Sequence, residues 1–224
     1  MIGDDCPVFI IAEAGVNHNG DVSLARKLVD AAALAGVDAV KFQTYKSEDL
    51  VSEGTEKAEY QKSLGDSETQ FDMLKKYELG YSEFRDLDEY CKRRGITFLS
   101  TPHTLDAVEI LDPIVPAFKL GSGDLTNIPL IKQVAKKNKP MIISTGMSTL
   151  DEVVETFNSC IDEGNQELVF LHCTSSYPCK YEEVNLGAMR TMMQKFGDKA
   201  IIGYSDHTRI CCTNCSCCFR SKGN

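Results

Sequence analysis

The sequence lacks several features that would assign it to common classes of protein. Within its 224 residues, no apolar run approaches the ~20 residues that a membrane-spanning helix needs. The first five residues include two aspartates and no basic side chain, so the start does not resemble a secretory signal peptide. The sequence therefore predicts a cytoplasmic protein that has no membrane partner.

Positive charge is also scarce. Lysine and arginine number 24 against 33 aspartates and glutamates, which leaves a formal net charge of −9. No broad basic surface is expected, and nucleic acid is excluded as a partner because its phosphates require one. Any anionic ligand must therefore be held by a local group of positive charges.

A Gly-x-Gly-x-x-Gly turn is missing after the first apolar run, which argues against a dinucleotide-binding sheet. Seven short apolar runs are present instead, most of them separated by stretches with helical periodicity. They cover residues 8–15, 39–44, 96–102, 117–123, 140–146, 168–174 and 200–208. This alternation predicts an α/β fold, namely an incomplete (β/α)₈ TIM barrel in which seven of the eight strands are countable.

Between these runs, cap residues mark where helices begin. Ser82 and Asn127 are each predicted to cap a helix, and Ser148 with Asp151 is predicted to form a capping box. The segment 45–80 breaks the alternation. It is interpreted either as a loop that covers the substrate or as a solvated surface excursion.

The cysteines are unevenly distributed. Five of the ten are scattered over the first 210 positions and are interpreted as reduced core residues, whereas five crowd into residues 211–218. The chain is therefore divided into an incomplete barrel domain, residues 1–209, and an aberrant Cys-rich tail, residues 210–224, which is expected to be disordered. A zinc site is not favoured there, since Cys212-x-x-Cys215 lacks a second pair.

Two lysines lie in the apolar runs. Strand alternation places Lys41 and Gln43 on one face, with Phe42 on the other. A buried lysine needs an anion, so Lys41 is predicted to contact a ligand, with a structural ion pair as the alternative. Lys119 repeats this arrangement, and the Gly-Ser-Gly that follows it lets backbone amides approach an oxyanion.

Hydroxyl groups and one carboxylate lie at other strand ends. Ser122, Ser144 and Ser205, together with the two lysines, form a plausible phosphate site. Glu13 is a carboxylate where a core side chain is expected. It is interpreted as a general acid or base, as a group that orients a sugar hydroxyl, or as an ion-pair partner of Lys41.

Histidines are few, four in all. His207 shares a strand face with Ser205 and is either a metal ligand or an acid–base group, although one histidine alone cannot hold a metal. His18 is interpreted as a structural hydrogen-bonding group or a site residue. His103 and His172 are interpreted as packing or supporting groups.

Taken in order, the segments FIIAEAGVNHNG, VKFQT, FLSTP, FKLGSGD, IISTGM, LHCTSSYP and IGYSDHT resemble the sialic acid synthase family, which comprises N-acetylneuraminate, legionaminate and pseudaminate synthases. The resemblance implies an enzyme, a transferase that forms a C–C bond in carbohydrate biosynthesis. It would condense phosphoenolpyruvate with N-acetylmannosamine or a related amino-sugar aldehyde, giving a sialic-acid-type nonulosonate and releasing phosphate.

The resemblance also implies roles for individual residues. Lys41 and Thr101 would meet the carboxylate of phosphoenolpyruvate. Its phosphate would be held by Lys119, Ser122, Ser144, Ser175 and Ser205. Glu13, Gln43 and Tyr177 would contact the sugar, and Asp124 would lie near the reacting centre, so that Glu13 and Asp124 are the predicted catalytic residues. His207 would be one of two histidines that bind Mn²⁺ or Mg²⁺, which would polarise the aldehyde oxygen.

Two other readings stay open. A class I aldolase-type barrel would use Lys41 or Lys119 to form a Schiff base. A truncated product could instead bind ligand or a sister subunit without turnover. An eighth strand and a second metal-binding histidine are not found in the sequence, so we expect exposed strand edges. Such a chain is expected to aggregate, to pair with another copy as a homodimer, or to need a missing partner, and to show little synthase activity alone.

Overall fold

The computed structural model describes residues 2–3, 6–57 and 68–208. Its strands are β1 (Ile11–Gly15), β2 (Ala39–Thr44), β3 (Thr97–Pro102), β4 (Phe118–Leu120), β5 (Met141–Ser144), β6 (Leu168–Cys173) and β7 (Ile201–Ser205). Its helices are α1 (Val22–Leu34), α2 (Ser47–Leu50), α3 (Gln70–Tyr77), α4 (Tyr81–Arg94), α5 (Leu105–Leu111), α6 (Ile128–Ala135), α7 (Leu150–Asp162) and α8 (Gly187–Phe196). Each predicted apolar run contains one strand, and no helix in the described ranges has the length and apolar character to span a membrane.

All strand pairs are parallel, as predicted for an α/β fold. They form two sheets, with strand orders β1-β2-β3 and β4-β5-β6-β7. The chain divides into two compact units, Phe9–Pro116 and Met1–Val8 with Ala117–Asn224. A closed barrel stays a prediction. The proposed tail, residues 210–224, lies outside the described residues, as does the suggested zinc pair within it.

In the Phe9–Pro116 unit, apolar strand residues pack beneath the helices. Phe42 and Phe98 are almost fully buried, and their ring centroids lie 5.8 Å apart. Val29 of α1 and Leu87 of α4 are fully buried as well. Side chains alternate along a strand. Because Phe42 packs on the side of the helices, Lys41 and Gln43 lie on the opposite face of the sheet.

The second unit is packed in the same way. Phe118, Ile143 and Phe170 are fully buried, and the Phe170 ring stacks 5.2 Å from that of Phe196 on α8. All four residues of β5 are buried, which is typical of a parallel strand that is covered on both faces. The polar residues that end these strands are therefore attached to a rigid sheet.

Two predicted helix caps are wrong by one or two positions. Helix α7 is capped by Thr149, whose hydroxyl accepts from the Glu152 N–H while the Glu152 carboxylate accepts from the Thr149 N–H. The Ser148 hydroxyl donates to a backbone carbonyl instead. Helix α4 starts after Gly80, whose N–H donates to Glu83. In both helices a glutamate satisfies a backbone N–H that would otherwise lack a partner. The Asn127 cap is confirmed, since its side chain accepts from the first turn of α6.

The segment 45–80 contains two helices, α2 and α3, and residues 58–67 of it lie outside the described ranges. Glu78 links the two helices, because its carboxylate accepts from Lys46 Nζ at 2.6 Å and from the Ser47 N–H at 2.9 Å. Burial opposes ionisation of Glu78, but these hydrogen bonds outweigh it and lower its pKa to about 2. The described part of the segment is thus held by ion pairs. That it covers a substrate stays a prediction.

Candidate active site

In the Phe9–Pro116 unit, a buried lysine is paired with a carboxylate. The parallel register places Glu13 opposite Lys41, and Lys41 Nζ lies 2.8 Å from Glu13 Oε2. Lys41 Nζ also donates to Thr101 Oγ1 at 3.3 Å. The Lys41 side chain is 8% exposed and that of Glu13 is 57% exposed. The ion pair that the sequence left as an alternative is therefore present, and its carboxylate faces solvent. Contact of Lys41 with a ligand stays a prediction.

The Gln43 side chain lies near Glu13, and both side chains lie beside Gly15. Gly15 has a φ of +52°, and a Cβ placed on it would lie 2.9 Å from Glu13 Oε1 and 3.6 Å from Gln43 Nε2. The Glu13 carboxylate therefore occupies the space that a side chain at Gly15 would take, and the Gln43 amide lies beside that space. Thr101 is the register partner of Gln43 on β3. The predicted residues Glu13, Lys41, Gln43 and Thr101 are thus brought together, and we call them the carboxylate-paired cluster.

In the second unit, the buried Lys119 donates to two neutral oxygens. Lys119 Nζ donates to Ser144 Oγ at 2.7 Å and to the Leu120 carbonyl at 2.8 Å. Lys119 is 7% exposed and Ser144 is 4% exposed. Because the Ser144 oxygen accepts from an ammonium, the hydroxyl proton is available to donate to another group.

Two further hydroxyls meet at Gly146, which follows β5. The Gly146 N–H donates to Ser122 Oγ at 3.0 Å. A Cβ at Gly146 would lie 2.8 Å from that oxygen and would overlap Ser175 Oγ. The Ser175 oxygen is buried and has no hydrogen-bond partner among the described residues. Lys119, Ser122, Ser144 and Ser175 all lie at the carboxyl ends of β4, β5 and β6, and we call them the hydroxyl cluster.

Ser205 and Tyr177 gather around His207 at the end of β7. His207 Nε2 lies 3.4 Å from Ser205 Oγ and 3.4 Å from Cys173 Sγ. The Tyr177 ring packs edge-on, with its centroid 4.4 Å from that of His207. Asp124 lies in the same short 3-10 helix as Ser122, and its catalytic role stays a prediction.

A metal site is not complete within the described residues. Across residues 2–3, 6–57 and 68–208, no three His, Cys, Asp or Glu side chains come together in a way that could hold a metal ion. That His207 is a metal ligand stays a prediction. The described residues alone therefore do not fit a Mn²⁺ or Mg²⁺ site.

The remaining histidines fit structural roles. His18 is almost fully buried, and its Nδ1 accepts from the Gly20 N–H at 3.1 Å. Burial lowers the pKa of His18, which favours the neutral ring that this hydrogen bond requires. His172 Nε2 lies 2.8 Å from the Val184 carbonyl. His103 packs edge-on against Tyr45.

The scattered cysteines are free thiols, as predicted, and four of the five are buried. Burial raises the pKa of both Cys91 and Cys160 to about 12, so these thiols are unreactive. Cys173 was interpreted only as a core residue, but it also contacts His207. Cys173 is the register partner of Ser205 on β7, two residues before His207. Pairing β6 with β7 would therefore have predicted the contact between Cys173 and His207.

The chain matches the NeuB family over residues 28–218 and belongs to that family. It is 45% identical over 204 residues to the N,N'-diacetyllegionaminic acid synthase of Campylobacter jejuni, covering 89% of this chain and 60% of that protein. It is 35% identical over 207 residues to human N-acetylneuraminate-9-phosphate synthase, covering 92% and 57%.

Solved structures agree with these relatives. The N-acetylneuraminic acid synthetase of Leptospira borgpetersenii superposes with a TM-score of 0.81 at 34% identity, covering 92% of this chain and 67% of that one. The predicted resemblance is therefore confirmed. The chain spans only 57% to 60% of the length of these two curated relatives.

Proposed function

We propose that this chain carries the phosphoenolpyruvate site of a nonulosonate synthase, which condenses that substrate with N-acetylmannosamine or a related amino-sugar aldehyde. The hydroxyl cluster is the observation that carries the proposal. A buried ammonium and three hydroxyls at neighbouring strand ends offer the donors that a phosphate dianion needs. Ser205, beside His207, would add a further hydroxyl.

The carboxylate-paired cluster, taken by itself, would suit a substrate carboxylate, which the family resemblance implies to be that of phosphoenolpyruvate. Lys41 and Thr101 would hold the substrate carboxylate, which would replace the carboxylate of Glu13 beside the Lys41 ammonium. Because Glu13 is more than half exposed, it can turn towards solvent at little cost. Glu13 would then be able to contact a sugar hydroxyl together with Gln43, and Tyr177 would contribute a further sugar contact.

In the proposed reaction, C3 of phosphoenolpyruvate attacks the aldehyde carbon of the sugar. Water adds to the cationic C2, and the resulting tetrahedral intermediate loses phosphate by C–O cleavage. Fixed donors from Lys41, Lys119 and the serine hydroxyls would compensate the substrate's negative charge without reorganising during the reaction. Asp124 and Glu13 are the proposed acid–base groups. Binding of a divalent ion by His207 needs ligands from outside the described residues, and no step here depends on it.

Calorimetric titration of the 224-residue chain with phosphoenolpyruvate tests the proposal. We expect the wild-type chain to bind, and Lys41→Met and Lys119→Met each to weaken binding by about 10- to 100-fold, since each removes a charge-assisted contact. Lys132→Met, on the solvent side of α6, is the matched control and should bind normally. Absence of wild-type binding would contradict the proposal.

Product assays separate the alternatives. Formation of a nonulosonate and phosphate in equal amounts would support the synthase, whereas a covalent lysine adduct trapped by borohydride with pyruvate would support an aldolase. The expectation of little turnover by this chain alone is tested in the same assay. Pairing into a homodimer and a cytoplasmic location stay predictions.

A further inference from the structure

Gly146 occupies an unusual position in the hydroxyl cluster. It is buried two residues after β5, and two serine oxygens from other strand ends fill the space where its Cβ would be. Its φ is not among the positive values recorded for the described glycines, so the backbone itself accepts an alanine. The requirement for glycine here comes mainly from the two serine hydroxyls, with a smaller contribution from the Cys173 carbonyl.

The contacts of Gly146 decide how the two hydroxyls are oriented. The Gly146 N–H donates to Ser122 Oγ, so a lone pair of that oxygen is occupied and its single proton is directed elsewhere. Ser175 Oγ lies against the same glycine and has no partner among the described residues, which leaves its donor capacity unused. Both hydroxyls are therefore arranged to donate to a group that the described residues do not supply.

We propose that Gly146 is a positioning residue, which holds Ser122 and Ser175 in the rotamers that donate to an anionic oxygen. This inference rests on the proposed function in that it takes the phosphate of phosphoenolpyruvate as the anion. A methyl group at residue 146 forces both hydroxyls to rotate away, and it also crowds the Cys173 carbonyl, 3.2 Å from the added Cβ. The hydrogen bond between Lys119 and Ser144 is kept when these two hydroxyls rotate.

Four chains test the inference: wild type, Gly146→Ala, Ser175→Ala and the double variant. Phosphoenolpyruvate affinity is measured by calorimetry and the unfolding midpoint by circular dichroism. We expect Gly146→Ala to weaken binding by about 10-fold or more, the loss of one or two hydrogen bonds to a charged group. We expect it to lower the midpoint by about 2–4 °C through overpacking. Gly187→Ala, at an exposed helix start with only ordinary contacts, is the control and should change neither.

The double variant separates the steric cause from a general loss of packing. With the Ser175 hydroxyl removed, adding Gly146→Ala should lower the midpoint less than it does in the wild-type chain. An equal drop in both backgrounds, or wild-type affinity in Gly146→Ala, would overturn the inference. If the wild-type chain binds no phosphoenolpyruvate, the proposed function fails, while the midpoints still decide whether Gly146 holds these hydroxyls.

Discussion

The carboxylate-paired cluster and the hydroxyl cluster each stabilise a buried lysine ammonium, but with different partners. Each contains a buried strand lysine. Lys41 is neutralised by Glu13, whereas Lys119 donates to a serine hydroxyl and a backbone carbonyl. Because the Glu13 carboxylate is exposed, the carboxylate of a ligand can take its place beside the Lys41 ammonium. A lysine bonded to a serine hydroxyl instead adds donors around a ligand with several oxygens. The comparison supports carboxylate binding at the first cluster and phosphate binding at the second.

Inorganic phosphate gives the largest expected difference between the two clusters. Lys119→Met should weaken phosphate binding by about 10- to 100-fold, because it removes the cation of the hydroxyl cluster. Lys41→Met should leave phosphate binding unchanged while it weakens binding of phosphoenolpyruvate. Titration of both variants with both ligands checks this. Equal loss of phosphate binding in the two variants would contradict the assignment of phosphate to the hydroxyl cluster alone.

Removing the Glu13 carboxylate tests how much the ion pair stabilises the first cluster. Glu13→Gln leaves a buried ammonium without its anion, and we expect it to lower the free energy of unfolding by about 1–2 kcal/mol, less than for a fully buried pair because Glu13 is exposed. Urea denaturation measures this change. The double variant Glu13→Gln, Lys41→Met should recover part of the loss, and a double variant no more stable than Glu13→Gln would count against the pairing.

The matching change in the hydroxyl cluster should have a smaller effect. Ser144→Ala removes one hydroxyl acceptor from Lys119 but leaves the Leu120 carbonyl in place. We expect a loss of about 1 kcal/mol in the free energy of unfolding, the net contribution of one hydrogen bond. Ser148→Ala is a suitable control, since that half-buried hydroxyl donates to the Gly146 carbonyl within its own turn. A loss in Ser144→Ala as large as that in Glu13→Gln would contradict the comparison.

Glu78 provides a reference pair outside both clusters, and its effect should depend on pH. Its pKa is lowered from 4.5 to about 2 in the folded chain. A lowered carboxyl pKa stabilises the fold above the unfolded value, and this stabilisation is lost as the pH falls from about 4.5 towards 2. Glu78→Gln should therefore destabilise the chain by about 1 kcal/mol at pH 7 and progressively less below pH 4.5. Thermal unfolding of both chains across this range measures the difference, and a difference that is independent of pH would contradict the assignment.

Most of the strands could be predicted because the signal for them is local. Buried parallel strands are short apolar runs, and each run could be read without knowing its neighbours. Helix starts were less certain. Ser148 and Thr149 are adjacent residues that can both cap a helix, and only the backbone geometry selected Thr149. Gly146 gave no signal of its own, since a glycine in a turn is ordinary until the side chains that surround it are known.

The order of apolar runs and the polar residues within and after them already determined that this is an α/β protein of the NeuB family with two lysines in its strands. Only the tertiary structure decided that Lys41 pairs with Glu13, that Lys119 bonds to Ser144, and that two serines close around Gly146. The physical reason is strand register. These partners are separated by many residues of chain, and their side chains meet only when parallel strands align and the helices between them bury the opposite face.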